Sequence, residues 1–409
     1  MSQLASGIYK QLLFGKQSGL GTKASTGSGQ LLRRVTSTVD FKRANYTSKE
    51  IRPSMQRSDM RLGVASVDGT ISGELSPGTY SLFQASVMRQ AWQAEATSGS
   101  LSDVTAAVTS GAAGTFTTAA GNFLTAGLKV GRVIRWAGWT APATANNAHN
   151  FLITALTATV MTGIMLDGVP VTAKASGDPV TATDAGKSTW IPSSGHTRDY
   201  YTIEHNFSDI TQSEQFRDCV LSQMDIKLPP TGMSTVDFAV MGISMDDTTS
   251  AYFITPTPAT NAGILAAVNG AVFVQGLQVA LITGMTITAK GNFTTVGGVV
   301  GSNYEPDITP GAVDVTGQVT VVFIDAVMRD YFLNETEVSI VTAFTAANQP
   351  NADFQAYTFP RAKMGGATKD DGEKSLIMTM PFTALENIFG GTGTATVEST
   401  MCIQDSLAA

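Results

Sequence analysis

Charge is scarce in this chain. Of its 409 residues only 14% are Asp, Glu, Lys or Arg, roughly half the usual share of about 25%. Much of the surface must therefore be covered by something other than charge. With 26 basic and 33 acidic residues the net charge is −7. That balance argues against a protein that grips nucleic acid, since such grip rests on Lys and Arg displacing counterions from phosphate. Cysteine is nearly missing too. Cys219 and Cys402 build neither a disulfide framework nor a C-x-x-C metal pair, the pattern of a reducing compartment. The opening stretch has no long apolar core with a small-residue cleavage site, so no secretory signal is expected.

Catalytic signatures are lacking as well. His149, His196 and His205 stand in no ligand-like spacing and read as surface or loop residues. Ala185-Gly-Lys-Ser-Thr189 ends like a phosphate loop, but Thr181 occupies the place of its first glycine, without which the backbone nest cannot close. Asp246-Asp247 and Asp370-Asp371 sit among turn formers and read as solvated turns. No enzyme, metal or cofactor is expected. The longest charge-poor apolar run, 262–282, is interrupted by Gly263, Asn269, Gly270, Gln275 and Gly276; these suit strands bent at Gly276 better than a membrane helix.

What is abundant is Thr, Gly (40 residues) and β-branched apolar residues, a composition that favours pleated sheet over helix. The length allows two or three domains, at about 150 residues each. An internal repeat organises them. Gly63, Val67, Gly69, Ile71 and Leu75 recur as Gly311, Val315, Gly317, Val319 and Phe323, at a constant spacing of 248 positions. Even spacing puts the apolar side chains on one sheet face, with the central glycine at a bend or bulge. Upstream, Val35 to Phe41 resembles Met285 to Phe293. Downstream, Ser86-Val-Met-Arg89 echoes Ala326-Val-Met-Arg329, and Tyr201-Thr-Ile203 echoes Tyr357-Thr-Phe359. The surplus between copies, 95–189, reads as a small β domain inserted in a surface loop, where insertions are tolerated. Its removal is expected to spare assembly. The spacing predicts a helix over 81–95, a helical turn over 324–334 and a third over 382–389.

The stretch 33–61 is the main local charge anomaly. It carries Arg33, Arg34, Lys42, Arg43, Lys49, Arg52, Arg57 and Arg61 against Asp40, Glu50 and Asp59. It reads either as a solvated loop between two strands or as a loop that steers and registers a protein partner; interleaved aromatics for a nucleic-acid patch are lacking beyond Phe41 and Tyr46. The matching stretch of the second copy, 296–310, bears Glu305 and Asp307 and no cation, as expected if the two meet across a subunit boundary.

Three sets of residues carry a family resemblance. One is Ser48-Lys-Glu50-Ile51, Gln56, Asp59, Gly63 and the run Val67-Asp-Gly69-Thr-Ile71-Ser-Gly-Glu74-Leu75-Ser-Pro77-Gly-Thr-Tyr80. Another is Tyr9-Lys, Phe14-Gly15-Lys-Gln and Gly21-Thr22; the last is Asn303-Tyr-Glu, Gly311 and Val315-Thr-Gly317. On these the chain resembles the tail tube proteins of long-tailed bacteriophages, over 1–94 and about 200–390. The resemblance implies a mainly β fold: duplicated tail-tube β-sandwich or barrel units with a small inserted β domain and few short helices. The first copy would take 1–94 and 190–250, the outward-facing insert 95–189, and the second copy 251–409.

The resemblance also implies a structural virion protein that assembles with itself. Single-unit members form hexamers, so a duplicated chain favours trimeric rings with pseudo-sixfold symmetry, the true hexamer being the alternative. The rings would stack into a tube meeting tape measure, tail terminator and baseplate or distal tail proteins. Double-stranded DNA would pass through the lumen without specific binding, and no membrane is involved. The expected place is the virion tail, assembled in the host bacterial cytoplasm. Arg33, Arg34, Lys42, Arg43, Lys49, Glu50, Arg52, Arg57, Asp59 and Arg61, with Glu305 and Asp307, would be inter-ring or inter-subunit contacts. The strands bearing Gly63 to Leu75 and Gly311 to Phe323 would run through the tube wall. A β-rich adhesin or carbohydrate-binding module is the other reading, weakened by the missing signal peptide and the lack of clustered Trp and Tyr.

Overall fold

A computed structural model describes residues 4–279, 281–323, 326–370 and 375–408. Among them strands predominate and only two α-helices occur, Ser81–Met88 and Val327–Leu333. No helix is long and apolar enough to cross a membrane. The backbone of the molecule is a run of eight antiparallel strands. In spatial order they are Asp40–Thr47, Met60–Glu74, Thr235–Gly242, Gln212–Leu228, Ile282–Lys290, Asp314–Val322, Ile377–Ala384 and Phe354–Met364.

Alternation sets the two faces of this run. Along Met60–Glu74, Ala65, Val67 and Ile71 are buried while Val64, Ser66, Asp68, Thr70 and Ser72 are partly exposed. Val315 and Val319 take the buried side in the second half. Each such side chain contributes about 1.5–3 kcal/mol on leaving water. The repeat glycines answer to close approach. At Gly69 (φ +153°) a Cβ would lie 2.5 Å from the Thr38 carbonyl oxygen, and at Gly317 it would lie 2.4 Å from the Phe382 ring. Only Gly69 faces an interruption in its neighbour, between Thr36–Ser37 and Asp40–Thr47. At Gly317 the pairing to Ile287 runs through unbroken, so the expected bulge there gives way to room for an aromatic ring.

The two long strands belong to two sheets at once. The first part of Gln212–Leu228 leaves the eight-strand run to pair with Tyr201–Phe207 and Ser244–Thr248, and Lys10–Lys16 joins beyond Tyr201–Phe207. Likewise Phe354–Met364 pairs with Val338–Thr345 and Cys402–Asp405, and Gly270–Val274 joins beyond Val338–Thr345. One apolar core fills the space between these layers, from Phe14 through Phe238 to Phe382.

The register repeats with the sequence. Thr36 faces Ser72 as Gly284 faces Thr320; Phe41 faces Val67 as Ala289 faces Val315; Thr47 faces Met60 as Thr295 faces Ile308. The spacing is again 248. It corrects the upstream match: Phe41 stands where Ala289 stands, not where Phe293 does. The Tyr-Thr echo is also misplaced. Tyr201 begins the strand equivalent to Val338–Thr345, whereas Tyr357 lies on the equivalent of Gln212–Leu228. The Val-Met-Arg echo ends one helix and begins the other.

Helix content is lower than the spacing suggested. The first helix stops at Met88 because Arg89 turns left-handed (φ 57°), its N–H donating to the Ser86 carbonyl, a helix-ending geometry. The segment 382–389 is not helical, since Phe382 and Ala384 are committed to a central strand. Ile324, Asp325 and Asp371 lie outside the described residues. His149 and His205 are buried rather than on the surface: His149 pairs with Asp167, and His205 Nε2 lies 2.8 Å from the Ser37 hydroxyl. No group of three potential metal ligands occurs among the described residues.

A separate six-stranded sheet spans Thr105–Ser110 to Thr181–Asp184 and has its own core around Phe116, Trp136 and Phe151. It is not loosely attached. Val133 and Leu152 share a cluster with Phe273, Val341, Phe354 and Ala356 of the second half. Gln404 Nε2 donates to the Val133 carbonyl at 2.8 Å, and Lys129 Nζ donates to the Thr394 carbonyl at 2.6 Å. This packing argues against the expectation that its removal spares assembly, since deletion would bare an apolar sheet face of the kind that drives aggregation. A chain lacking 96–184 is expected to be insoluble on expression, while Leu152→Ala stays folded and loses about 2–5 kcal/mol in urea denaturation. A soluble, cooperatively folding deletion would contradict this docking.

Candidate assembly surface

The basic stretch does not form one loop. Its first part is used inside the chain: Arg33 Nη1 donates to the Ala262 carbonyl at 2.8 Å, and Arg34 Nη2 to the Lys10 carbonyl at 2.6 Å. These two tie neighbouring segments of the chain together. Asp40, Lys42 and Arg43 lie on the edge strand, where Lys42 pairs with Asp68 of the next strand. Lys49, Glu50, Arg52, Arg57 and Asp59 occupy the connection that leads to Arg61 on the following strand. Within it Arg52 pairs with Glu50 at 2.8 Å, Arg61 with Asp59 at 2.9 Å, and Arg57 Nη1 donates to the Ser48 carbonyl. Ile51 and Met55 at its tip are fully exposed.

The acidic counterpart is partly spent as well. Asp307 is held by Arg198 and by the Tyr200 hydroxyl at 2.9 Å. Burial works against its ionisation, but these hydrogen bonds and the Ile308 N–H outweigh it and hold the carboxyl below its ordinary range. Asp307 thus has partners within its own chain. Glu305 has no ion pair among the described residues. Its segment folds back on the first half: the Ala65 N–H donates to the Asn303 carbonyl at 2.7 Å.

Two features that the sequence reading missed matter more. The first is a pair of open edges. Asp40–Thr47 is paired on one side only, and at the far end Thr368–Lys369 pairs only with Ile377–Ala384 among the described residues. In mid-chain the corresponding edges meet. Residues 223–228 run antiparallel to 285–290, with Met224 opposite Ala289 and Ile226 opposite Ile287.

The second is Arg89. Its guanidinium donates to the Gly311 carbonyl at 2.7 Å and the Gly291 carbonyl at 2.8 Å, and lies 5.3 Å from the Phe293 ring centre. It locks the helix end of the first half onto the mouth of the second hairpin. Arg89 is only 7% exposed, and burial pulls its pKa down. The Val-Met-Arg echo contained it without marking this role, because its partners are backbone carbonyls.

A model of the phage tail tube protein family matches residues 9–388. The chain belongs to the phage tail tube protein family. No curated protein matches it. The match spans both halves and the inserted sheet, and decides between the two functional readings of the sequence: this is a structural protein of the phage tail, not an adhesin. In this tail tube protein the surfaces of interest are accordingly those that another protein can complete, namely the open edges and the exposed connection 48–59.

Arg89→Ala removes two charge-assisted bonds and leaves the buried Gly291 carbonyl and the partly buried Gly311 carbonyl without their donor. That is expected to cost about 2–4 kcal/mol in urea denaturation of the tail tube protein, with Arg89→Lys recovering part of it. Wild-type stability of Arg89→Ala would contradict the locking role.

Proposed function

We propose that this tail tube protein is a duplicated ring-forming unit whose chains join head to tail into trimeric, pseudo-sixfold rings, which stack into the tail tube. One observation carries the reading: the chain already contains the required joint, 223–228 against 285–290, and leaves the two matching edges open at opposite ends of its eight-strand run. A sheet edge recruits further strands, and a head-to-tail contact that closes makes a ring. The two units are 1–94 with 190–250, and 251–409; the inserted domain 95–189 packs on the second unit, away from the proposed lumen.

The lumen face would be the face of the run turned away from the apolar core. In the first half it carries Asp68, Glu74, Asp225 and Asp237 against Lys42 and Lys227. Both lysines are paired, Lys42 with Asp68 and Lys227 with Asp237 at 2.8 Å. In the second half it is mostly hydroxylic, with Thr286, Thr288, Thr316, Thr320, Thr379 and Thr383 beside Asp314, Lys290 and Lys363. An acidic and hydroxylic wall repels phosphate and offers it few cations, so double-stranded DNA can slide through without being held.

Connection 48–59, with Lys49, Arg52, Arg57 and Arg61, serves ring-to-ring contact. Tape measure, tail terminator and baseplate or distal tail proteins meet the tube at its interior and ends, and assembly takes place in the host cytoplasm before the tail joins the virion. No chemical step is part of this role.

Electron microscopy of purified rings tests the symmetry: three chains per ring with six similar lobes are expected, and six identical chains would end the trimer assignment. Separately, Arg52→Glu with Arg57→Glu and Arg61→Glu is expected to leave subunit stability within about 0.5 kcal/mol of wild type while blocking tube growth. Normal tube yield from that variant would remove the loop from the ring-to-ring contact.

A further inference from the structure

The two helices end alike and are covered unlike. In the first, the Arg89 N–H donates to Ser86 O and the Gln90 N–H to Ala85 O; in the second, the Glu335 N–H donates to Phe332 O and the Thr336 N–H to Tyr331 O. Arg89 and Glu335 are both left-handed, at φ 57° and 49°. They are therefore equivalent positions, 246 residues apart. Yet Val87 is 2% exposed while its counterpart Leu333 is 61% exposed. All residues of Ser81–Met88 except Leu82 are buried, and none of Val327–Leu333 is.

The cover over the first helix comes partly from the second half. The Gly78 N–H donates to Asp405 Oδ2 at 2.8 Å, and Gln355 reaches Gln84. Arg89 completes that contact on Gly291 and Gly311. By the spacing of 248 that relates the hairpins, the positions matching Gly291 and Gly311 are Arg43 and Gly63. A Cβ built on Gly291 would meet the Phe293 ring at 2.6 Å and Arg89 Nη2 at 3.2 Å, in the place where ring and guanidinium stack. Position 43 thus aims its side chain at whatever occupies the place of Arg89 in an equivalent joint.

Arg43 lies on the open edge strand, on the same face as Phe41, which packs on the core. It has no ion pair or hydrogen bond among the described residues, and its Nε is shielded from water without a partner. Glu335 is exposed and equally free of partners. At the joint within the chain a cation meets a residue with no side chain; at the open ends an anion and a cation wait in the same two places.

Resting on the ring reading, we infer that Glu335 of one chain binds Arg43 of the neighbouring chain, beside an apolar contact that buries Phe332 and Leu333. The occupant of this surface is a second copy of the protein. The exchange also keys the order of joints. Arg at position 291 would confront Arg89, so a second-half hairpin seats on a first-half helix end, and a first-half hairpin on a second-half helix end. Like charges across a wrong joint oppose it.

The test is a charge exchange in the full chain. Arg43→Glu and Glu335→Arg, each alone, are expected to raise the concentration needed for ring formation about tenfold or more at low salt. The combined variant is expected to return to within about threefold of wild type, a recovery that lost folding cannot imitate. Single variants that assemble like wild type, or a combination no better than the worse single variant, overturn the pair while leaving the ring reading intact. Failure of wild type to form rings at any concentration overturns both. As a second measurement, assembled rings mixed from Arg43→Cys and Glu335→Cys chains should cross-link between chains with a short bismaleimide, since Cys219 and Cys402 are buried; absence of that product also overturns the pair.

Discussion

Backbone N–H and C=O groups at the rim of a sheet need partners, and among the described residues of this protein the eight-strand run pairs strand to strand and leaves an open edge at each end. Each missing inter-strand bond is worth only about 0.5–1.5 kcal/mol net, but a joint of six residues gathers several at once. It also continues a buried apolar row: Met224 and Ile226 on one side, Ile287 and Ala289 on the other. The arrangement of the molecule follows from keeping that joint repeatable.

Repeatability is built by strands that serve two sheets. Gln212–Leu228 and Phe354–Met364 each start in an outer sheet and finish in the eight-strand run. In the proposed ring the outer sheets and helices would thereby fix the angle at which the next unit arrives. The inserted sheet braces the outer sheet of the second half through Val133, Leu152 and Gln404. It also uses apolar surface that would otherwise face water. Low charge suits the proposed ring, in which much of the remaining surface would meet other copies or line a lumen that must not hold DNA.

The repeat of Gly63 to Leu75 in Gly311 to Phe323 was legible because a strand buried on one face leaves a period of two, and because close approach at Gly69 and Gly317 tolerates only glycine. The family resemblance was legible too. Short echoes misled. Val-Met-Arg and Tyr-Thr recur wherever a helix end or a half-buried strand needs such residues, so they matched positions that are not equivalent. Charge was the poorest guide to the assembly surface. Arg33, Arg34 and Asp307 looked like partners for another molecule but hold carbonyls or cations of their own chain. Arg89 and Glu335 carried no signal, because their equivalence lies in backbone conformation and not in residue type.

Amide hydrogen exchange, compared between isolated subunits and assembled rings, tests the central claim most directly. In the subunit, 223–228 and 285–290 should exchange slowly and 38–42 and 366–370 fast; on assembly the latter two should slow to match the former. Rings in which both end segments go on exchanging fast, with new protection elsewhere, would contradict the account.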